Sequence, residues 1–166
     1  VSYSIQNDGA LKIEISAESE KPTFCNPAFH GYWCLNNEGL GGHKLTIHAD
    51  HFLPTNEALI PTGEIQSVDG TPYDLRQSKV LPAEISLDTN FCLNGGGLRE
   101  AARLETEELT MILETDAPGL QVYDAARLDT SPVLGHLGNP YGGHAGMAME
   151  PQVWPDAPNQ PNFPSI

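Results

Sequence analysis

Glycine and proline punctuate this chain so often that no stretch of it carries four turns of amphipathic helix. Sixteen glycines and fourteen prolines are spread through 166 residues. Proline inside a helix deletes a backbone donor and clashes with the preceding turn, and glycine there is a weak helix former. Between the breaks, apolar and polar residues alternate: VSYSI at 1–5, LKIEISA at 11–17, KLTIH at 44–48, LTMILET at 109–115 and LQVY at 120–123. That period of two belongs to a pleated strand. Asn7-Asp8-Gly9 separates the first two runs and predicts a hairpin, because Asp-Gly suits a turn with positive φ. Ala101–Glu105 and Leu109–Thr115 predict a second one. His51 to Arg76 reads as short strands and ordered loop, Lys79 to Asp88 as a helical turn or loop, and Ser131 to Gly146 as a long loop. With no internal repeat and no linker, the expectation is one domain over 1–166, an all-β antiparallel β-sandwich.

Three segments carry chemistry as well as pattern. After Lys21-Pro22 comes TFCNPAFHGYWCL, where alternation sets Asn26, Ala28, His30 and Tyr32 on one face and Pro27 suggests an edge or a bulge. LQVY sets Gln121 and Tyr123 opposite Leu120 and Val122. MAME sets Ala148 and Glu150 opposite Met147 and Met149. Apolar neighbours Met149, Pro151 and Trp154 would desolvate Glu150 and raise its pKa. Beyond it, Pro155, Pro158, Pro161 and Pro164 recur at every third residue, the period of a polyproline II helix. The tail is therefore expected to be a rigid extended collar beside a carboxylate.

Net charge narrows the partners. Twenty-two acids against eight Lys and Arg give −14, which excludes a phosphate-neutralising footprint for nucleic acid and attraction to an anionic membrane. A neutral small molecule such as a sugar is compatible. Three cysteines with no CxxC pair predict free thiols in a reducing compartment, hence a cytoplasmic protein. No apolar run is long enough to span a bilayer. His43, His48 and His51 invite a metal reading, yet a strand puts His48 and His51 on opposite faces, so no metal is expected. GxSxG and phosphate-cradling loops are absent, and no cofactor is implied.

The tail ME-PQ-WPDAPNQPNFPS resembles the C-terminal signature of the aldose 1-epimerase (galactose mutarotase) family, with Pro151 where that family usually has threonine. The likeness runs along the chain. NPAFHGYWCL is similar to the family's Asn-Leu-Thr-x-His-Ser-Tyr-Phe-Asn-Leu. HKLTIHADHFLPTNEALIPTGEIQSVDGTPYDLR is similar to its longest shared block. LDTNFCLN resembles Asp-His-Asn-Phe-x-Leu, with Thr89 replacing histidine. APGLQVY resembles Pro-Gly-x-Gln-x-Tyr. The resemblance implies a mutarotase-like sandwich, present here in part: the family's N-terminal half, which brings a second histidine and an arginine to the sugar, has no counterpart in this sequence.

It also implies an activity, the interconversion of α and β anomers of free aldoses such as glucose and galactose. A base takes the proton of the C1 hydroxyl while an acid protonates the ring oxygen. The ring opens, turns about C1–C2 and recloses. By the resemblance Glu150 is the base and His30 the acid, while Asp88 and Gln121 hold sugar hydroxyls. An imidazole suits the acid role because it ordinarily titrates near neutrality. Without the family, His30 and Glu150 each read as structural or surface groups, and Trp33 and Trp154 as core. Glu150 with Asp88 would also be compatible with a glycosidase pair. The competing functional reading is a non-catalytic sugar-binding sandwich or an inactive fragment. Open sheet edges, left by the absent strands, would invite self-association.

Overall fold

The computed structural model describes residues 1–80 and 86–166. Strands β1 (Ser2–Ile5) and β2 (Leu11–Glu14) form a separate antiparallel hairpin. Gly9 closes its turn at φ 88°, where the absence of a Cβ removes the steric cost. A ring-to-ring chain, Tyr3 to Phe29 to Trp33, with centroids 6.0 and 6.2 Å apart, ties the hairpin to the body.

The body is an antiparallel sandwich. Its remaining strands are β3 (Tyr32–Trp33), β4 (Lys44–Ile47), β5 (Ala49–Leu53), β6 (Gln66–Ser67), β7 (Lys79–Val80), β8 (Asp88–Leu93), β9 (Arg99–Glu105), β10 (Thr110–Thr115), β11 (Gly119–Tyr123) and β12 (Met147–Gln152). One sheet runs β10-β9-β4-β7 and the other β3-β12-β11-β8-β5-β6. Leu45, Ile47 and Leu104 of the first sheet meet Phe91, Leu120, Val122, Met147 and Met149 of the second, all at most 1 % exposed. That shared core is where period-two patterning sends every second side chain. Because Met147, Met149, Leu120, Val122 and Phe91 face inward, their neighbours Ala148, Glu150, Gln121, Tyr123, Asp88 and Asn90 face the opposite side of the six-stranded sheet.

Both expected hairpins form, and residues 124–146 hold no strand. Lys79–Val80 is strand rather than helical turn or loop; the rest of that expectation bears on 81–85, which lie outside the described residues. Two further local expectations fail. Of the Asn26–Tyr32 alternation only Tyr32 is in a strand, because Asn26 pairs through its side chain instead of its backbone. The tail is not a polyproline II helix. Asp156 turns left-handed at φ 62°, a single 3-10 turn follows at Ala157–Asn159, and Asp156 accepts hydrogen bonds from Asn159 Nδ2 (2.6 Å) and Gln160 Nε2 (2.9 Å). Those side-chain bonds and the burial of Ala157 and Phe163 against Leu53 and Cys92 outweigh the extended preference of proline. The tail thus folds over the outer face of the six-stranded sheet. Among the described residues no helix is long and apolar enough to cross a membrane.

Candidate active site

The outer face of the six-stranded sheet gathers the residues singled out from sequence. Antiparallel register sets Gln121 of β11 opposite Glu150 of β12 on one side and opposite Asn90 of β8 on the other. Asp88 lies opposite Tyr123, two residues along the same face. Gln121 Nε2 donates to Asp88 Oδ1 at 2.8 Å. This leaves the second Asp88 oxygen and the Gln121 carbonyl oxygen as acceptors for hydroxyl donors.

His30 arrives from a segment that is not a strand. Asn26 Nδ2 donates to the Val153 carbonyl at 2.8 Å, and the Val153 amide donates to Asn26 Oδ1 at 2.9 Å. This two-way clasp copies a ladder pair and lays residues 26–30 along the end of β12. Pairing of β3 with β12, Tyr32 opposite Ala148, completes the alignment. His30 Nε2 comes to 3.5 Å from Glu150 Oε1. The Tyr32 ring lies against the imidazole, 5.3 Å between centroids, and reaches the Tyr123 ring at 6.4 Å. Sequence pattern assigns Asn26, Tyr32 and Tyr123 no role, although alternation puts Tyr123 on the face of Gln121. Asn26 and Tyr32 share the predicted face with His30, which was the only available signal.

Burial differs sharply across the pair. The Glu150 side chain is 11 % exposed and that of His30 53 %. Desolvation holds the Glu150 carboxyl above the ordinary carboxylate value; the His30 imidazole opposes the shift and Asp88 adds to it. A carboxylate displaced upward this way is a stronger base near neutrality. Burial, then Tyr123, Glu150 and Asp88, raise the Tyr32 phenol, so it stays a neutral donor. The carboxylate and the imidazole stand side by side, 3.5 Å apart. They can therefore address two oxygens bonded to one carbon.

Beside this array lies a cavity of about 150 Å³ lined by Asp88, Asn90, Gln121 and Gln152 together with Leu59 and Pro155. His30 and Glu150 do not line it; it lies next to them through Gln121, the cross-strand neighbour of Glu150. The histidines of the metal reading do not converge. His43 Nε2 accepts from the Leu35 amide at 2.9 Å, His48 meets Glu100 at 3.3 Å, and His51 is exposed. Among the described residues no three His, Cys, Asp or Glu side chains gather to hold a metal ion. Trp154 donates to the Pro118 carbonyl at 3.0 Å and meets Phe163 edge-on, while Trp33 packs on the main core.

Comparison with known proteins points the same way. The family profile described as Aldose 1-epimerase matches residues 1–166. Galactose mutarotase from Bos taurus is 39 % identical over 178 aligned residues, covering 100 % of this chain and 52 % of that protein. Aldose 1-epimerase from Escherichia coli is 33 % identical, covering 99 % and 51 %. Among solved structures, the GalM/aldose epimerase homologue from C. elegans superposes with a TM-score of 0.76 at 28 % identity, covering 85 % of this chain and 46 % of that one. The chain spans about half the length of the curated relatives it matches. Across its whole length, this chain belongs to the aldose 1-epimerase family.

Proposed function

We propose that residues 1–166, as one portion of a mutarotase-like sandwich, carry the acid-base centre of an aldose 1-epimerase. The observation that carries this is the contact between His30 Nε2 and Glu150 Oε1 at 3.5 Å, beside the bonded Asp88–Gln121 pair. Glu150 takes the proton from the C1 hydroxyl of an aldopyranose. His30, protonated on Nε2, delivers one to the ring oxygen. The C1–O5 bond breaks to give the open-chain aldehyde, which turns about C1–C2. Reclosure on the other face returns both protons, so atoms and charge balance with no further reactant. Asp88 and Gln121 hold ring hydroxyls so that C1 stays within proton-transfer distance.

The test is polarimetry on freshly dissolved α-D-galactose or α-D-glucose. The expected result is faster decay of optical rotation with protein than without, and a loss of roughly 10²–10⁴-fold of that acceleration in Glu150→Gln. An unchanged acceleration in this variant sinks the assignment. A second reading, sugar binding without catalysis, is favoured by the 53 % exposure of the His30 side chain, which leaves the acid open to water. Heat of sugar binding with no polarimetric effect would select it.

The protein works in the cytoplasm, in keeping with its free thiols at Cys25, Cys34 and Cys92. Self-association uses the outermost strands of the two sheets, β3, β6, β7 and β10.

A further inference from the structure

We propose that the cavity beside the acid-base pair is a subsite for the C4 end of the sugar ring, and that Leu59 in its lining determines specificity there. This rests on the epimerase reading above and adds to it the part of the substrate that is discriminated. Glu150, Gln121 and Asn90 lie in one line across three neighbouring strands. Two strand spacings are about 10 Å, a distance that a pyranose spans with a hydrogen bond at each end. With C1 held at Glu150, the opposite end of the ring lies over Asn90 and the cavity.

The lining suits that end of a sugar. It mixes polar side chains, Thr55, Asp88, Asn90 and Gln152 beside Gln121, with apolar ones, Leu59, Pro61 and Pro155. A pyranose likewise has polar hydroxyl edges and an apolar C–H face. Asn90 is 2 % exposed, and neither its Oδ1 nor its Nδ2 meets a hydrogen-bond partner among the described residues. A buried carboxamide is costly to leave unpaired, and a bound hydroxyl or water in the adjoining space would satisfy it.

Leu59 is held where its own chemistry does not put it. Its φ is 60°, a left-handed conformation that is uncommon for a residue with a bulky side chain. It is 49 % exposed and belongs to neither core cluster. Asn56 keeps it there: the Leu59 amide donates to the Asn56 carbonyl at 2.9 Å, and Asn56 Oδ1 accepts from the amides of Ala58 (2.9 Å) and Ile60 (3.1 Å). The loop is also clasped to the tail, Asn162 Nδ2 donating to the Gly63 carbonyl at 2.9 Å. The turn that closes the Thr55–Pro61 bridge takes Leu59 as its left-handed residue, and so holds a half-exposed apolar side chain against the cavity.

The experiment is methyl and amide NMR on the 166-residue chain, titrated with D-galactose and D-glucose, which differ at C4, and with D-mannose, which differs from D-glucose at C2. The expected result is that sugar shifts the Leu59 methyl signals together with those of Gln121 and His30. Leu59→Ala should change the galactose-to-glucose affinity ratio by about threefold or more and leave the glucose-to-mannose ratio unchanged. Leu59→Gly, which relieves the backbone strain and so keeps the fold, should change the same ratio. Shifts at Gln121 and His30 with Leu59 silent, or both ratios unmoved in both variants, overturn this inference alone. No shift at any of the three residues with any sugar overturns the epimerase reading and this inference with it.

Discussion

In the β1–β2 hairpin seven of the eight strand residues are exposed, whereas the first four residues of β12, Met147 to Glu150, are all buried. Both segments alternate in sequence. The difference lies in what covers them. Each hairpin strand has the other as its single neighbour, and a two-stranded ribbon buries little by itself. β12 is flanked by β3 and β11, backed by the sandwich core on one face, and skirted on the other by the segment that Asn26 clasps to Val153. Alternation therefore specifies a pleat, and neighbours decide which of its faces lose water. Only where both faces are covered does a carboxylate on one of them become a desolvated base.

The largest effect expected from this contrast is in packing. Met149 is 1 % exposed in the shared core, so Met149→Ala should cost about 2–5 kcal/mol in urea denaturation. Ile5 is 71 % exposed, and Ile5→Ala should stay within about 0.5 kcal/mol. Comparable losses at the two positions would mean that the hairpin is buried in solution and would break the comparison.

Glycine sharpens it further. A Cβ on Gly119 would sit 2.7 Å from Trp154 Cδ1, 2.9 Å from Asn90 Oδ1 and 3.1 Å from the Gln152 carbonyl. Gly119→Ala should cost about 1–3 kcal/mol by overpacking and should disturb the site side of the sheet, which Trp154 fluorescence would register. A Cβ on Gly9 meets nothing within 4 Å, but φ there is 88°. Gly9→Ala should cost about 1–2 kcal/mol, through torsion alone. Its Trp154 emission should be unchanged.

Much of this architecture is legible in the sequence. Period-two runs and Asp-Gly turns announce the strands, and the same parity that buries Met147 and Met149 puts Glu150 on the site face. The elements that escape such reading are those decided by side chains bonding to backbone. A proline every third residue fits an extended helix and a turn-rich loop equally, and Asp156, by accepting from Asn159 and Gln160, selects the loop. Residues 26–30 alternate like a strand, yet Asn26 spends its carboxamide on Val153, 127 positions away. The positive φ of Leu59 and the unpaired carboxamide of Asn90 depend on contacts that no local pattern encodes. The approach of His30 to Glu150 needs β3 laid beside β12, a long-range pairing that periodicity does not encode; the family resemblance implied the two roles and not the pairing.

The smallest effect concerns pH. Burial raises the Glu150 carboxyl above its ordinary 4.5 in the folded chain, against the opposing His30 contact. Between the ordinary value and the raised one, the folded state keeps a proton that the unfolded state has lost. Stability therefore falls as pH rises through that window and levels off above it. Glu150→Gln cannot titrate, so its stability relative to the parent should climb as pH rises past the ordinary carboxylate value and level off once pH has passed the raised one. Glu14 offers the matched control on the hairpin: it lies 2.9 Å from Lys12 with 61 % of its side chain exposed, and Glu14→Gln should stay within about 0.5 kcal/mol of the parent at every pH. Urea midpoints for the three proteins across that range decide the matter. Parallel curves for the two variants would show Glu150 to be as well solvated as Glu14. They would also remove the physical reason for giving the sheet-centre carboxylate the role of base.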